Sequence, residues 1–273
     1  MIGAIDISVL PFTQAIRDDV YVGAGERETL VKVGLWDKPY TADELVADMD
    51  ASGIAAGLIP AQNFGVSAVS YEAVAEITQA APGRLFGLAG INPTDITAGV
   101  KRLEHAVREL GFAGAHSYPH WFGLRPDDRA YYPFYLKCTE LDIPIQVQAG
   151  MAFQRHKRNV GYPDAFDRIA VDFPELRLVA IHTGHPWERE LVAAAWKHPN
   201  LTIGGDTHHP SHWSHELVEF IAGDGREQAV FGTNYPELGF REFLAAIDEL
   251  GFTDDVKRSL LIENAKRIYK LHL

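Results

Sequence analysis

Short apolar runs alternate along the chain with longer segments in which apolar residues recur at helical spacing. Eight such runs can be counted, at 2–9, 54–59, 85–91, 112–115, 143–148, 176–181, 201–205 and 229–231. Continuous apolar runs are typical of strands that are covered on both faces, as in parallel sheets. Strands that alternate with helices favour an α/β fold. The pattern therefore predicts a single-domain (β/α)8 TIM barrel over residues 1–273, since no stretch has the composition of a linker.

One long connection interrupts this rhythm after the first run. Residues 11–40 contain charged pairs, a Gly-Ala-Gly sequence and a late aromatic residue. Loops of this length inside a compact domain are commonly lids or binding elements. We therefore predict an inserted loop at 11–40 that covers the site or contributes to an interface. A helix is expected to begin directly after it, because Thr41 and Glu44 have the spacing of a capping box.

Composition narrows the classes of partner and compartment. The formal net charge of −12 argues against nucleic acid, because binding to phosphates requires a basic surface. No apolar segment approaches the roughly 18 residues that a membrane span needs, so no membrane association is predicted. The single cysteine, Cys138, excludes an intrachain disulfide and favours a reducing compartment such as the cytoplasm. The N-terminus has no basic segment before its apolar run, so a signal peptide is not predicted.

Polar and titratable residues collect at the ends of the predicted strands, the face of a TIM barrel that carries catalytic residues. They are Asp6, Ser8, Asn63, Asn92, His116, His120, Gln148, His182, His185, Asp206, His208, His209, Asn234 and Glu237. Several convergent polar groups indicate a site better than any single residue does. His182 is the strongest candidate for acid–base chemistry, because it ends a buried run and histidine titrates near neutral pH. The alternative is a histidine that only satisfies a loop carbonyl.

Three further patterns carry weaker indications. The histidines of segment 208–215 have no closed zinc spacing and are more typical of a solvated helix end. The basic run 155–158 is typical of a solvated loop, although Arg155 also suits a substrate carboxylate by bidentate pairing. The aromatic residues of the same loops either pack the core or line a mouth suited to a flat or apolar small molecule.

Seven sequence blocks follow one another in order over almost the whole chain. They are IDIS at 5–8, GFAGAHSYPH at 111–120, DDRAYYPFYLKCTELDIPIQVQAG at 127–150, FPELRLVAIHTGHPW at 173–187, AWKHPNLTIGGDT at 195–207, FGTNYPE at 231–237 and ENAKRIYKL at 263–271. Together they resemble the amidohydrolase-related TIM barrels, in the branch of the aminocarboxymuconate semialdehyde decarboxylase-like enzymes. The resemblance implies an amidohydrolase-like barrel, an enzyme acting on a small molecule and, as in many family members, a homodimer or higher homo-oligomer.

The same resemblance implies metal ligands at positions where this sequence has other residues. The family usually carries a His-x-His pair after strand one, where this chain has Ser8 and Leu10. It carries a histidine after strand five and an aspartate after strand eight, where this chain has Gln148 and Asn234. Only His182 matches a ligand position. Since a divalent cation needs several anionic or imidazole donors, we predict a metal-free site with no cofactor.

The alternative to a metal-free site is a relocated zinc site. It would be built from Asp6, His182, His116 and Asp206. A shifted register at strand one is the change that would make Asp6 a ligand. Elemental analysis of the purified protein separates the two predictions.

The predicted activity is hydrolysis of a small, carboxylated cyclic or aromatic molecule, a reaction class that comes mostly from the resemblance. Without a metal, hydrolysis requires a side-chain base and preorganised hydrogen-bond donors. We expect His182 to act as the base or acid, Asp6 to orient or charge its imidazole, and His116 to be a third catalytic residue. Substrate binding is predicted for Ser8, His120, Gln148, Arg155, His185, His208 and Asn234.

Two other hypotheses stay open. The branch resemblance favours a non-oxidative decarboxylation of the same substrate class, which would release CO2. The loss of metal ligands also fits a catalytically silent subunit or a small-molecule binding protein. Such a protein would bind a ligand without turning it over.

Overall fold

Residues 3–19, 39–65, 67–152 and 156–273 are described in the computed structural model of the chain. Eight parallel strands pair in chain order. They are β1 (Ala4–Asp6), β2 (Ile54–Pro60), β3 (Leu85–Gly90), β4 (Gly114–Ser117), β5 (Ile145–Gln148), β6 (Leu178–Ile181), β7 (Leu201–Gly205) and β8 (Ala229–Phe231). The Ile7 N–H donates to Phe231 O (3.1 Å) and the Asn234 N–H donates to Ser8 O (3.0 Å), which brings β8 beside β1. The predicted (β/α)8 barrel is therefore confirmed.

Helices connect the strands and cover the outside of the barrel. Within the described ranges they are α1 (Gln14–Asp19), α2 (Ala42–Ser52), α3 (Tyr71–Ala80), α4 (Ile96–Arg108), α5 (Pro119–Phe122), α6 (Tyr132–Glu140), α7 (Asp164–Asp172), α8 (Glu188–Lys197), α9 (His215–Ala222), α10 (Phe240–Glu249), α11 (Asp254–Arg258) and α12 (Asn264–Tyr269). Helix α2 begins with the predicted capping box, because the Thr41 hydroxyl accepts from the Glu44 N–H and the Glu44 carboxylate accepts from the Thr41 N–H. None of these described helices combines the length and apolar character of a membrane span.

Some boundaries differ from those that the apolar runs predicted. The fourth strand was expected at 112–115 and lies at Gly114–Ser117, so that His116 is inside the strand and not beyond its end. The run was misleading here because the polar residues of this strand break the apolar pattern. The last helical segment contains a π-helical turn at Ser259–Glu263 between α11 and α12.

The last helix closes the N-terminal end of the barrel. Ile268 and Tyr269 of α12 are buried in one cluster with side chains of the strands, among them Ile5. The Gln146 side-chain amide donates to the Tyr269 hydroxyl (2.7 Å) and to Ile7 O (2.8 Å) inside the barrel. This packing leaves the C-terminal ends of the strands as the face that can carry a site.

The inserted loop is described only where it leaves and rejoins the barrel. The Asp19 carboxylate, at the end of α1, accepts from the Ser70 N–H (2.9 Å) and the Ser70 hydroxyl (2.6 Å). At the other end, the hydroxyls of Tyr40 and Tyr235 lie 3.1 Å apart. Residues 20–38 lie outside the described residues, so the lid or interface role of 11–40 stays a prediction. The single-domain organisation likewise stays a prediction.

Candidate active site

Two buried carboxyl groups converge at the C-terminal ends of β1 and β7. Asp6 is the last residue of β1 and Asp206 directly follows β7, and neither has exposed surface. Gly232 lies between them: a Cβ there would be 2.9 Å from Asp206 Cβ and 3.4 Å from Asp6 Oδ1. The absence of a side chain at position 232 therefore permits the close approach of the two acids.

The Asp6 carboxyl joins the end of β1 to the loop that follows β8. Its Oδ1 accepts from the Ser8 N–H (2.9 Å) and the Thr233 N–H (3.1 Å), and its Oδ2 accepts from the Thr233 hydroxyl (2.6 Å). Burial raises the pKa of Asp6 to about 7, although these hydrogen bonds lower it. Because both oxygens bond to backbone and hydroxyl groups, the structure shows no direct contact by which Asp6 would orient His182.

Asp206 is the carboxyl that contacts His182. Its Oδ1 accepts from the His182 N–H (2.7 Å), and its Oδ2 lies 3.5 Å from His182 Nε2. Neither Oδ2 nor Nε2 has a hydrogen-bond partner among the described residues. Burial raises the pKa of Asp206 to about 8, with a further rise from Asp6 and a decrease from the His182 N–H. Burial and neighbouring imidazoles hold the pKa of His182 well below its usual value, so at neutral pH the pair is a protonated carboxyl beside a neutral imidazole.

His116 lies close to this pair and is fully buried in β4. Its ring centroid is 4.3 Å from that of Tyr118, which in turn is 6.0 Å from that of His182. Within the part of the chain that is described, neither ring nitrogen of His116 has a hydrogen-bond partner. Burial lowers the pKa of His116 to about 3, so its imidazole is neutral near pH 7. The structure thus brings His116 into the neighbourhood of His182, and its catalytic role stays a prediction.

Four residues that are not glycine adopt left-handed backbone conformations at the ends of β6, β7 and β8. Their φ angles are 70° at His182, 55° at Thr183, 68° at Thr207 and 67° at Asn234. Asparagine tolerates this conformation, whereas β-branched threonine is an outlier there. Each strained residue costs on the order of 1–3 kcal/mol, and such strain concentrates at functional sites. The strained backbone therefore indicates a functional site at the ends of β6, β7 and β8, where the buried titratable side chains also lie.

The residues at the expected metal-ligand positions bond to one another. The Ser8 hydroxyl donates to Asn234 Oδ1 (2.5 Å), and the Asn234 side-chain amide donates to Glu237 Oε2 (3.2 Å). A search of the described residues finds no group of three or more His, Cys, Asp or Glu side chains that could hold a metal ion. The relocated zinc site of Asp6, His182 and Asp206 is therefore not formed in this structure, because the Asp6 oxygens face the N–H and hydroxyl donors described above. Ser8, Gln148 and Asn234 lack the anionic or imidazole donors that a divalent cation prefers, and the metal-free site stays a prediction.

The binding residues predicted after β4 and β5 lie on one side of the mouth. The His120 ring donates from Nε2 to Gly150 O (3.1 Å), and burial lowers the pKa of His120 to about 4. Gln148 ends β5 and is 6% exposed. Arg155 lies outside the described residues, so its pairing with a substrate carboxylate stays a prediction.

The binding residues predicted after β6 and β7 contact each other farther out. The ring centroids of His185 and His208 are 4.8 Å apart. His185 donates from Nδ1 to the Glu188 carboxylate (2.9 Å), and its side chain is 39% exposed. Burial, with a contribution from His185, lowers the pKa of His208 to about 4. These two histidines border the buried pair, and their contact with substrate stays a prediction.

Several residues of the site have contacts that sequence reasoning did not predict. Asp206 was predicted as a strand-end polar residue and as a possible zinc ligand, whereas in the structure it is the partner of His182. Thr183, Thr207 and Thr233 were not considered, although each is buried beside one of the reactive groups. Their positions directly after a strand-end residue were the available signal, whereas their backbone conformations have no signature in the sequence.

A separate surface cavity of about 360 Å³ lies at the other end of the barrel. Its lining includes Pro199, Gln228 and Arg267. Pro199 and Gln228 precede β7 and β8, which places the cavity at the N-terminal ends of the strands. Since TIM-barrel chemistry is found at the opposite face, this cavity does not belong to the candidate active site.

Comparison with known proteins gives matches over most of the chain. The family model described as amidohydrolase matches residues 37–271. A curated relative, 2-keto-4-carboxy-3-hexenedioate hydratase of Sphingobium sp. (strain NBRC 103272 / SYK-6), is 34% identical over 211 residues, which are 64% of this chain and 62% of the relative. The match thus spans less than two thirds of that relative's length.

Two solved structures share the fold. An uncharacterized TIM-barrel protein from Bordetella bronchiseptica has a TM-score of 0.84 and 23% identity, covering 98% of this chain and 99% of that one. A 5-carboxyvanillate decarboxylase from Novosphingobium aromaticivorans, complexed with manganese, has a TM-score of 0.73 and 16% identity, covering 98% and 96%. At these identities the likeness establishes the fold alone.

Proposed function

Since the chain belongs to the amidohydrolase family, whose model matches it over residues 37–271, we propose that it catalyses the attack of water on a small, carboxylated cyclic or unsaturated substrate. The single observation that carries this proposal is the buried pair of His182 and Asp206 at the C-terminal face of the barrel. The expectation of an enzyme family is supported by the amidohydrolase model and by the relative that is named a hydratase. The reaction itself is the proposal.

The pair provides a base and an acid at the same pH. The neutral His182 imidazole accepts the proton of the attacking water at Nε2, and the protonated Asp206 carboxyl donates to the oxygen or carbon that gains electron density. General acid–base catalysis requires a base that is unprotonated and an acid that is protonated at the same pH, and two groups whose environments shift their pKa values in opposite directions meet this requirement. Asp206 takes the orienting role that was predicted for Asp6, because its carboxyl contacts both the ring and the N–H of His182.

Hydrolysis and hydration are two forms of this reaction. The sequence predicts hydrolysis, in which water cleaves an ester-like or amide-like bond. The curated relative is a hydratase, and its name describes an unsaturated acid as substrate. Both forms place one oxygen atom from water on a carbon of the product, so the same base and acid serve either substrate.

We propose that the reaction proceeds without a divalent cation. The bound manganese is a property of the solved decarboxylase and is not transferred to this chain. At ligand positions that the family resemblance implies, this chain has the neutral Ser8, Gln148 and Asn234, and the Ser8 hydroxyl donates to Asn234 Oδ1. Gln148 and Asn234 are instead suited to donating hydrogen bonds to a carbonyl or carboxylate oxygen of the substrate.

A panel of acids measured in water enriched in oxygen-18 tests the reaction class. The panel contains lactone carboxylic acids, unsaturated keto acids and hydroxybenzoic acids. An opened or cleaved bond with one oxygen-18 atom at the broken position indicates hydrolysis, and addition of one labelled water across an intact carbon skeleton indicates hydration. Release of CO2 with no oxygen-18 added to the organic product indicates decarboxylation. Ligand binding with no turnover of any compound would instead indicate the silent binding protein.

The residue assignment is tested by His182→Asn. This change removes the base and is expected to lower kcat by at least about a hundredfold, the usual contribution of a general base. The matched control is His215→Asn, since the His215 side chain is 78% exposed on α9 and lies outside the site. Unchanged turnover in a folded His182→Asn variant would contradict the assignment.

A non-oxidative decarboxylation is the second candidate. The protonated Asp206 carboxyl favours it, because loss of CO2 from an aromatic acid requires a proton donor for the carbon that carried the carboxylate. The oxygen-18 panel separates it from the first candidate.

We also propose a homodimer or higher oligomer and, from the single cysteine, a cytoplasmic location. Light scattering on the eluted protein tests the oligomer, and fractionation of the source cells tests the location.

A further inference from the structure

Two threonines that the proposed reaction has not used directly follow its two reactive residues. Thr183 follows His182 at the end of β6, and Thr207 follows Asp206 at the end of β7. Both have left-handed backbones, with φ of 55° and 68°. A β-branched residue is strained in this conformation, whereas glycine adopts it freely. The backbone alone would therefore favour glycine at both positions.

The hydroxyls of the same two residues are buried without a partner. Thr183 has no exposed surface and Thr207 is 8% exposed. Neither Oγ1 atom has a hydrogen-bond partner among the residues that the structure describes. A buried donor without a partner also opposes folding. Folding therefore explains neither the threonine side chain nor its backbone conformation at these two positions.

Local turns fix the backbone at both threonines, each of which is the next residue after a member of the reactive pair. His182, Thr183 and Gly184 are left-handed in succession, and the His185 N–H donates to His182 O (3.4 Å), which forms a left-handed turn. At Thr207 the His208 N–H donates to Asp206 O (2.7 Å) across the left-handed residue, which is the pattern of a γ-turn. The backbone of each threonine is thereby held in a defined conformation directly after His182 or Asp206 in the sequence.

We propose that the Thr183 and Thr207 hydroxyls donate hydrogen bonds to a carboxylate of the substrate. This inference rests on the proposed function, which supplies a carboxylated substrate. The buried polar residues of the described chain include no lysine or arginine, so the buried donors that this part of the chain offers to a substrate anion are neutral. Fixed neutral donors stabilise an oxyanion well when they need no reorganisation.

The first test compares the stability of the proteins without ligand. Thr183→Val and Thr207→Val keep the shape of the side chain and remove the hydroxyl. The melting temperature of each variant is expected to equal or exceed that of the parent, because the removed hydroxyl has no internal partner. Thr233→Val is the matched comparison: the Thr233 hydroxyl donates to Asp6 (2.6 Å), so its loss is expected to lower the melting temperature.

The second test measures carboxylate binding without any reaction. Succinate and tricarballylate are titrated by thermal shift and calorimetry, and their methyl esters serve as controls. The parent is expected to bind the acids and not the esters. Each valine variant is expected to bind about tenfold to a hundredfold more weakly, as for loss of one hydrogen bond to a charged group. Thr183→Ser and Thr207→Ser should restore most of the affinity.

Three results would overturn the inference. They are acid binding in the valine variants that matches the parent, no acid binding by the parent, and valine variants that lose as much stability as Thr233→Val does. The proposed reaction is tested separately, by the turnover of the His182→Asn variant. Acid binding that needs the threonines, in a protein that turns over no compound, would support this inference and remove the proposed reaction.

Discussion

Replacing Asp206 with asparagine is expected to remove a decline in stability between about pH 6.5 and pH 8. The carboxyl is fully buried, and burial raises its pKa from 3.8 to about 8. In the unfolded chain this group is ionised throughout that interval, whereas in the folded protein it keeps its proton. The folded state therefore binds one more proton, and the stability that this proton gives is lost as the pH rises through the folded pKa.

The size of the effect follows from this difference of one proton. It changes the free energy of unfolding by about 1 kcal/mol per pH unit, which gives roughly 1–2 kcal/mol over the interval. The lowered pKa values of His116 and His182 act in the other direction and at lower pH: their contribution is present above about pH 6.5 and is lost as the pH falls. They therefore do not hide the decline above pH 6.5. The raised pKa of Asp6, about 7, adds a decline of the same sign up to about pH 7, and this part remains in Asp206→Asn.

Urea unfolding at half-unit steps of pH measures this difference. The parent should lose stability across the interval, and Asp206→Asn should lose distinctly less. Asp167→Asn is the control, because hydrogen bonds from Lys197 and His198 hold the pKa of Asp167 below its usual value. That carboxyl is ionised in both states above pH 6.5, so its replacement should leave the slope unchanged. A slope in Asp206→Asn equal to that of the parent would show that Asp206 is ionised when folded, which would refute the acid assigned to it.

Three further predictions concern metal content and fold. Elemental analysis of protein purified without chelator is expected to find well below one divalent ion per chain, and one tightly bound ion per chain would contradict the metal-free proposal. Thr41→Ala removes the capping box of α2 and should lower the free energy of unfolding by about 1 kcal/mol in urea, with no effect on turnover. Gly90→Ala should prevent folding, because the added Cβ would lie 1.7 Å from Ala61 O; normal expression and circular dichroism of that variant would contradict this close approach of β3 to the end of β2.

The order and type of the elements were predictable because the strands of a parallel barrel are apolar on both faces. The run at 201–205 matches β7 at Leu201–Gly205 without change. The fourth strand was displaced because it carries His116 on a buried position, and a polar residue ends an apolar run in the sequence while it continues a strand in the fold. Apolar periodicity thus locates a strand well except where the strand contributes to the site.

The sequence allowed us to predict which residues lie at the ends of the strands. It did not allow us to predict which of those residues contact one another. His182 was recognised from its position after an apolar run. Its partner Asp206 is 24 residues away, and the pairing depends on the side-by-side order of β6 and β7 and on the left-handed backbone after β6. Neither the choice between Asp6 and Asp206 nor the strain at Thr183 can be deduced from residue types, since both arise from how two loops meet in space.

The contact between Gln146 and Tyr269 has a consequence for how the chain is made. A ribosome releases the first seven strands while the helix that seals the floor of the barrel is still being synthesised or lies in the exit tunnel. Until Tyr269 has been synthesised and has packed, the Gln146 side-chain amide lacks its hydrogen bond to the Tyr269 hydroxyl. The aliphatic side chains around Ile5 are then exposed to water. A nascent chain stalled before residue 264 is therefore expected to expose this apolar cluster and to bind chaperones that recognise exposed apolar side chains.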